Sequence, residues 1–403
     1  MKLAKFIGLI GCIVLVSGFI SAFYYYAPIF KQLPTPTGSH AIGTTIYYLK
    51  DDKRPEIHDP VGKSVRELKV QVWYPAIADA QHIPWDYLID IMPALKEDSN
   101  KKLPYSLPDS LLNRMLKMPT HALTDGLPAV KAGPYPVVVF SHGFGASVGW
   151  YSAYIEELVS QGYVVVGINH TYATNYVKFP DGRVIKFNQE GTLDNNEKAH
   201  VELAVWVADQ QFVIDWLEKA QQGDTILKDM LNLQKIGVAG HSFGGVTALK
   251  TCGADARCSA AANLDGSLSF FDNELEQPLT KPALFMMQDH RREEFIKQLS
   301  EKSISNEEHL KYRAHLITIF QKSTLLAYMM VLEQASHHSF SDAVLIKYPL
   351  AWLFDIDIGE MEGYLALKTV NQYLVSFFDC HLKDVRSSVL LEQLKKGEIN
   401  YIG

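Results

Sequence analysis

Short apolar runs alternate with longer segments of helical period from about residue 135 onward. The runs are rich in β-branched or small apolar residues, and they are YPVVVF, YVVVGIN, KIGVAG, SAAANL and KPALFMM. In the intervening segments apolar residues recur every three or four positions, as in YSAYIEELVSQG, HVELAVWVADQQFVIDWLEKA and GGVTALKT. This alternation predicts an α/β domain whose central sheet is mainly parallel and is flanked by helices.

Other patterns precede, interrupt and close this alternation. TTIYYL and ELKVQVWYP predict an antiparallel ribbon that leads into the sheet, and KFPDGRVIKF predicts a hairpin with Asp181 and Gly182 at its turn. The charged segment 290–324 has a helical period and lies between two strand candidates, so we expect either a lid or a solvated insertion. YLALKTVNQYLVSFFDCHL predicts a closing helix packed on the domain.

The N-terminus carries an apolar run without charged residues at positions 6–30, preceded by Lys2 and Lys5. A run of this length can cross a bilayer, and lysines before it favour a cytoplasmic N-terminus. We therefore expect residues 1–30 to be a signal peptide or a transmembrane anchor, residues 31–43 to be a linker, and residues 44–403 to be an exported catalytic domain. The protein would be secreted if the run is cleaved and membrane-anchored on the periplasmic or extracellular side if it is not.

Composition and charge narrow the function classes. The chain has 403 residues, of which 47% are hydrophobic and 21% charged, as in globular proteins. The net charge of −7 argues against a nucleic-acid partner. Because an exported protein can form disulfides, Cys252 and Cys258 could bridge the end of one helix and the start of the next strand; the alternative is two buried thiols.

The octapeptide VAGHSFGG fits the G-x-S-x-G pattern with Ser242 at its centre. A strand candidate precedes it and a helix candidate follows it, which is the context that gives this pattern meaning. In such a turn the backbone is strained, and small residues at Gly240 and Gly244 avoid clashes. We therefore predict that Ser242 is a nucleophile held out at the carboxyl edge of the sheet.

The hexapeptide SHGFGA, directly after YPVVVF, is the expected source of oxyanion stabilisation. Acyl transfer places a full negative charge on the former carbonyl oxygen, and backbone N–H groups on a glycine-rich loop can face it. We expect the N–H groups of Phe144 and Phe243 to surround this oxygen. His142 and His241 belong to the two glycine motifs and are expected to support the turns.

The base should be a histidine late in the chain, since this architecture orders its triad as serine, acid and histidine. His337 and His338 lie in ASHHSFSD, after the apolar run STLLAYMMVLE. Adjacent side chains point in different directions, so only one of the two can reach Ser242. The residues alone leave this choice open.

The acid also has two candidates, each at the end of a strand. Asp289 follows the later strand, the commoner position in this fold, but His290 and two arginines beside it indicate a surface ion pair. Asp265 is followed by Gly266 in a turn that could present a carboxylate to an imidazole.

Taken together, these motifs resemble the plasma-type platelet-activating-factor acetylhydrolase family, which are secreted, calcium-independent enzymes of the α/β-hydrolase fold. The matching features extend from about residue 65 to 385, and they are WYP at 73–75, IPWDYL near 83, SHGFGA with the helix and strand after it, GHSFGG, the NLDG turn, and H-x-x-F-x-D at 337–342. The region HTYATNYVKFPDGRV and the insertion 290–324 depart from the animal enzymes and are closer to bacterial relatives.

The resemblance implies roles for individual residues. It makes Ser242 the nucleophile, Asp265 the acid and His337 the base, and it makes Phe144 and Phe243 the oxyanion donors. The family takes its acid from the earlier strand, which is why the resemblance favours Asp265 over Asp289.

The expected activity is that of a serine ester hydrolase that cleaves short sn-2 acyl groups from phospholipids through an acyl-enzyme. The alternatives are a general carboxylesterase or lipase and, from a different class, a non-catalytic anchored binding protein. The sequence contains no H-E-x-x-H, C-x-x-C or helix-opening G-x-G-x-x-G motif, so we expect no metal and no other cofactor. The expected partners are the ester substrate and, through an uncleaved N-terminus, the membrane.

Overall fold

The structure is a computed structural model of the chain. It describes residues 11, 13–18, 20–21, 30–78, 83–87, 97, 118–193, 195–266, 279–289, 327–347, 351, 356–385 and 399–402. The predicted insertion 290–324 and most of the predicted span 6–30 lie outside these ranges. Within the described ranges, no helix combines the length and the apolar character needed to cross a bilayer.

Strands and helices alternate through the second half of the described chain. The strands are β1 (Ala41–Pro55), β2 (Val65–Ala76), β3 (Pro84–Asp86), β4 (Pro119–Thr124), β5 (Tyr135–Ser141), β6 (Val164–Asn169), β7 (Tyr176–Lys178), β8 (Val184–Lys186), β9 (Leu231–His241), β10 (Cys258–Leu264), β11 (Ala283–Gln288), β12 (Ala327–Leu332) and β13 (Ile399–Ile402). Among the described residues, the helices longer than one turn are α1 (Ser152–Ser160), α2 (Asn196–Gly223), α3 (Phe243–Ala254) and α4 (Gly363–Leu382). Each predicted strand and helix named above for a described segment is present.

Eleven of the described strands form one sheet, in the order β13-β12-β11-β10-β9-β5-β6-β2-β1-β4-β3. The seven strands from β13 to β6 run parallel to their neighbours. β2 joins β6 antiparallel and pairs with β1 as the predicted ribbon. The fold class is therefore α/β with a mainly parallel sheet, as predicted. β7 and β8 form the predicted hairpin outside this sheet.

Helices cover both faces of the parallel strands, which explains why those strands are continuous apolar runs. Successive residues of β5 point to opposite faces. Val138 and Phe140 belong to one apolar cluster, together with residues of α1 and α4. Val137 and Val139 belong to the other, together with Trp206 of α2.

Residues 31–40, within the segment predicted as a linker, lie against the domain. The Lys31 N–H donates to the Leu345 carbonyl, and Thr37 bonds to the buried Glu157 of α1 through both its N–H and its hydroxyl. Leu33 is buried in the core. These contacts hold the segment on α1 and on the loop after β12, so the packed part of the chain starts before residue 44.

The cysteine pair is joined in a disulfide between Cys252 and Cys258. The bridge links the last turn of α3 to the first residue of β10, which is one of the two alternatives that the sequence left open. Both residues are buried.

Candidate active site

Ser242 occupies the sharp turn between β9 and α3. Its backbone angles are φ 54° and ψ −123°, a region that L-residues rarely adopt. The turn is packed tightly: a Cβ on Gly244 would lie 2.3 Å from the Ser141 carbonyl oxygen, and one on Gly240 would lie 2.4 Å from Gly244. Only glycine fits at these two positions, and the serine is thereby held at the carboxyl end of β9.

The structure pairs His337 with Asp265. The Nδ1 atom of His337 lies 2.6 Å from Oδ2 of Asp265. Asp265 directly follows β10, and His337 follows β12, so both come from the same edge of the sheet as Ser242. The His337 side chain is 39% exposed, whereas the Asp265 side chain is 2% exposed, so the imidazole is accessible and the carboxylate is buried behind it.

Gln288 holds the buried carboxylate from the other side. Its backbone N–H donates to Oδ1 of Asp265 at 2.8 Å, and its side-chain amide donates to Oδ2 at 2.9 Å. Asn263 closes the turn that contains Asp265. Its side-chain N–H donates to the Gly266 carbonyl, and its side-chain oxygen accepts from the Gly266 N–H. Sequence analysis missed Gln288 and Asn263, because a polar residue at a strand end gives no local sign of its partner.

The alternative candidates for the base and the acid, His338 and Asp289, are not part of the contact between His337 and Asp265. His338 is exposed at the mouth of the cavity, and Asp265 binds the neighbouring His337 instead. Asp289 directly follows the adjacent strand β11, and it is buried rather than at the surface. The arrangement around Ser242 therefore contains His337 and Asp265.

The two residues predicted to stabilise the oxyanion, Phe144 and Phe243, face each other across the turn at Ser242, which we call the elbow. Phe144 follows β5 and Phe243 opens α3, and their rings pack against each other with centroids 5.5 Å apart. Both rings also pack on the buried Trp206, so the side chains point into the core. Within the part of the chain that the structure describes, the N–H of Phe144 has no hydrogen-bond acceptor, which leaves it available for an oxygen in the cavity.

Ser242 and His337 open into one cavity of about 320 Å³. Its described lining contains no Asp, Glu, Lys or Arg, and the residues that enclose it beside the glycine loop include Trp150, Ala343, Ile346 and Ile356. A largely apolar cavity of this size lies at the lower end of the range for small-molecule sites. It can accommodate a small uncharged group bonded to a carbonyl.

The two histidines of the glycine motifs are buried and hydrogen-bonded, as expected for supporting residues. Burial lowers the pKa of His142 to about 3, and its Nδ1 bonds to the Gly143 carbonyl. Burial and two neighbouring histidines also lower the pKa of His241 well below its ordinary value. Both rings are therefore neutral near pH 7.

A sequence profile for the family described as platelet-activating factor acetylhydrolase, isoform II, matches residues 30–214 and 209–398. A platelet-activating factor acetylhydrolase from Cavia porcellus is 22% identical over 271 residues, covering 62% of this chain and 58% of the relative. A probable 1-alkyl-2-acetylglycerophosphocholine esterase from Arthroderma benhamiae is 32% identical over 133 residues, covering 33% of this chain and 32% of the relative. In both cases the match spans less than two thirds of the relative.

Among solved structures, a ferulic acid esterase from Streptomyces cinnamoneus superposes with a TM-score of 0.68 and 27% identity. The superposition covers 89% of this chain and 95% of that protein. The likeness therefore extends over the whole α/β domain.

Proposed function

This chain belongs to the platelet-activating factor acetylhydrolase isoform II family, and from that premise we propose that it is a calcium-independent serine ester hydrolase of the α/β-hydrolase fold. The observation that carries the proposal is the 2.6 Å contact between His337 and Asp265 beside the strained Ser242 turn. A serine, an imidazole and a buried carboxylate at one sheet edge, together with two backbone N–H groups, are the parts that acyl transfer requires.

The first half of the reaction forms an acyl-enzyme. The Ser242 hydroxyl oxygen attacks the ester carbonyl carbon while Nε2 of His337 takes the hydroxyl proton. Asp265 accepts from Nδ1 and stabilises the resulting imidazolium. The N–H groups of Phe144 and Phe243 stabilise the tetrahedral oxyanion, which collapses as His337 returns its proton to the departing alcohol oxygen.

The second half consumes water. His337 takes a proton from a water molecule, whose oxygen attacks the acyl carbon of the Ser242 ester. The intermediate collapses, Ser242 recovers its proton from His337, and the free acid leaves. Each cycle thus converts one ester and one water into one alcohol and one acid, with the chain's own groups carrying every proton.

The proposed substrate is a phospholipid with a short sn-2 acyl group. Two observations support it: the names carried by the family and its relatives, and the small, largely apolar cavity next to Ser242. A short acyl chain fits a cavity of about 320 Å³, whereas a long chain would have to leave it.

A carboxylesterase acting on small aromatic or aliphatic esters is the second candidate. It is favoured by the ferulic acid esterase, which matches almost the full chain, and by Trp150, an aromatic residue in the lining of the cavity. An aromatic acid could stack on Trp150 while its ester carbonyl faces Ser242.

A substrate comparison tests both candidates. We would measure hydrolysis of 1-alkyl-2-acetyl phosphatidylcholine, its 2-palmitoyl counterpart, p-nitrophenyl acetate and methyl ferulate, each with and without chelator. The proposal expects the acetyl phospholipid to exceed the palmitoyl form strongly, unchanged by chelator. Methyl ferulate as the best substrate would favour the second candidate, and no hydrolysis of any ester by folded protein would contradict ester hydrolysis itself.

A further inference from the structure

A chain of hydrogen bonds links the three loops that carry the proposed machinery. The Gly143 N–H donates to the Tyr151 hydroxyl at 2.9 Å, and this hydroxyl lies 2.9 Å from Nδ1 of His241. At the other side of the same ring, Nε2 of His241 lies 3.0 Å from the backbone carbonyl oxygen of His337. These hydrogen bonds thus form a relay from Gly143, in the loop before Phe144, through Tyr151 and His241 to His337.

Which atom donates in each hydrogen bond of the relay follows from the carbonyl acceptor at its end. A carbonyl oxygen only accepts, so His241 carries its proton on Nε2 and donates it to His337. Nδ1 of His241 is then an acceptor, and the Tyr151 hydroxyl must donate to it. The same hydroxyl oxygen accepts from the Gly143 N–H, so every polar atom in the relay has a hydrogen-bond partner.

Because Tyr151 and His241 are buried, losing any one of these hydrogen bonds would be costly. Tyr151 is 1% exposed and His241 is 4% exposed, so a polar atom that loses its partner here has no ready access to bulk water. The loops are also in close contact, since a Cβ on Gly143 would lie 3.0 Å from Nδ1 of His241 and 3.1 Å from the Tyr151 hydroxyl. Neither loop can shift without disturbing the shared ring and hydroxyl.

We infer that Tyr151 and His241 are positioning residues that set Phe144, Ser242 and His337 relative to one another through this relay. Phe144 follows Gly143 directly, Ser242 follows His241 directly, and His337 supplies the last acceptor. The inference rests on the proposed function, because it assigns the relay to the geometry of the same reaction. It adds two side chains that act on the reaction through these three neighbours.

Removing the hydroxyl tests the relay kinetically. Tyr151→Phe should lower kcat on p-nitrophenyl acetate by roughly 10- to 100-fold with little change in KM, because a displacement within the machinery slows chemistry more than binding. Tyr163→Phe is the matched control: it removes a buried hydroxyl that bonds to Asp379 outside the site, and it should leave kcat near the parent value.

The donor role of Nε2 of His241 can be tested by comparing a substitution that keeps a side-chain N–H with one that does not. Gln at position 241 keeps a side-chain N–H that can donate to the His337 carbonyl, whereas Leu keeps only bulk. His241→Gln should therefore retain several-fold more activity than His241→Leu at equal thermal stability. Equal activity of these two variants, or a parental kcat in Tyr151→Phe, would overturn the relay while leaving ester hydrolysis intact.

A spectroscopic measurement reads the relay without any substrate. In protein labelled with ¹⁵N-histidine, His241 should give the neutral Nε2–H tautomer from pH 5 to 8, and Tyr151→Phe should shift its Nδ1 resonance. An Nδ1–H tautomer would contradict the inference even if the enzyme is active. If the protein hydrolyses no ester, this tautomer result still decides whether the relay exists.

Discussion

The molecule contains two sets of serine, histidine and aspartate in which the aspartate bonds to Nδ1 of the histidine. In the open set, Asp265 bonds to His337 beside Ser242. In the buried set, Oγ of Ser141 lies 2.9 Å from Nε2 of His170, whose Nδ1 lies 2.9 Å from Oδ2 of Asp209. Residue types and contact distances therefore do not by themselves distinguish a reactive site.

Access and backbone geometry separate the two sets. Ser141, His170 and Asp209 are all 0% exposed, and Ser141 ends the regular strand β5. Trp206 stacks on the His170 ring with centroids 3.7 Å apart and closes one of its faces. No ester can reach this serine in the folded state, so the buried set can only stabilise structure.

The charge on the carboxylate separates them further. Asp209 binds the guanidinium of Arg66 through two contacts of 3.1 and 2.6 Å, and Arg54 approaches it at 2.8 Å. Burial alone would raise the pKa of Asp209, but the Arg66 guanidinium and the hydrogen bond with His170 hold it below its ordinary value. The two guanidinium groups also offset the attraction of this carboxylate for an imidazolium. The described donors to Asp265, apart from His337, are neutral amides of Gln288, so its full charge can stabilise a protonated His337.

The buried set nevertheless supports the open one. The Ser141 Cα pairs with Gly240 in the sheet, and the Ser141 carbonyl abuts the position where a Gly244 Cβ would lie. Ser141 is fixed by His170 and by the Gln210 amide, which donates to its Oγ at 2.9 Å. The comparison thus predicts loss of activity from changes in one set and loss of stability from changes in the other.

Replacing each serine gives the largest contrast. Ser242→Ala should lower kcat/KM on p-nitrophenyl acetate by roughly 10⁴- to 10⁶-fold, because it removes the proposed nucleophile. Ser141→Ala should keep activity within about tenfold of the parent and lower the free energy of unfolding by about 1–3 kcal/mol, because it leaves buried groups unpaired. Comparable loss of activity in both variants, with both folded, would erase the distinction.

The acid can be tested by an isosteric change. Asp265→Asn should lower kcat by about 10⁴-fold, since an amide cannot hold the required tautomer of His337 or stabilise its charge. Asp289→Asn, at the end of the neighbouring strand, is the matched control and should stay near the parent rate. A near-normal rate for the Asp265 variant with loss in the Asp289 variant would transfer the role to Asp289.

The same isosteric change in the buried set should act on stability. Asp209→Asn leaves the buried Arg66 without its main counter-charge, so we expect a loss of about 3–5 kcal/mol in the free energy of unfolding, measured by urea titration. Asp215→Asn is the control on the same helix, because Asp215 makes an exposed pair with Arg257. Exposed pairs contribute little, so a similar loss in both variants would contradict the importance of burial.

Acidification tests whether the buried His142 ring is neutral in the folded protein. The pKa of His142 is about 3 in the folded protein and near 6.5 in the unfolded chain, so its contribution to stability is complete above pH 6.5 and falls as the pH drops towards 3. His142→Asn should make the dependence of the unfolding free energy on pH shallower by about 1.4 kcal/mol per pH unit between pH 6 and 4. Parallel curves for parent and variant would contradict this depressed pKa.

Local patterns were sufficient to predict the sheet, the elbow and the glycine loop, and they offered the disulfide as one of two alternatives. Each depends on residues close together in sequence: the elbow needs small neighbours around Ser242, and the bridge joins positions 252 and 258. The choice of Asp265 and His337 came from the family resemblance, because a strand end alone does not reveal which side chains meet. His170 also follows a strand, yet it lies in the buried set.

The supporting contacts could not be predicted from the residues. Tyr151 reaches His241 across 90 positions, and Asp209 reaches His170 across 39, from a helix whose rotation is set by packing on the sheet. The same limit applies to Gln288, whose bond to Asp265 depends on the register of β10 and β11. Such partners are determined by tertiary packing and leave no local pattern.

Covalent labelling tests most directly the claim that Ser242 is the nucleophile. Folded protein would be treated with a fluorophosphonate and digested, and the modified peptide would be identified by mass spectrometry. We expect a single adduct on Ser242, no adduct on Ser141, and none in the Ser242→Ala variant. Absence of labelling in folded, unmodified protein, or an adduct on another serine, would contradict it.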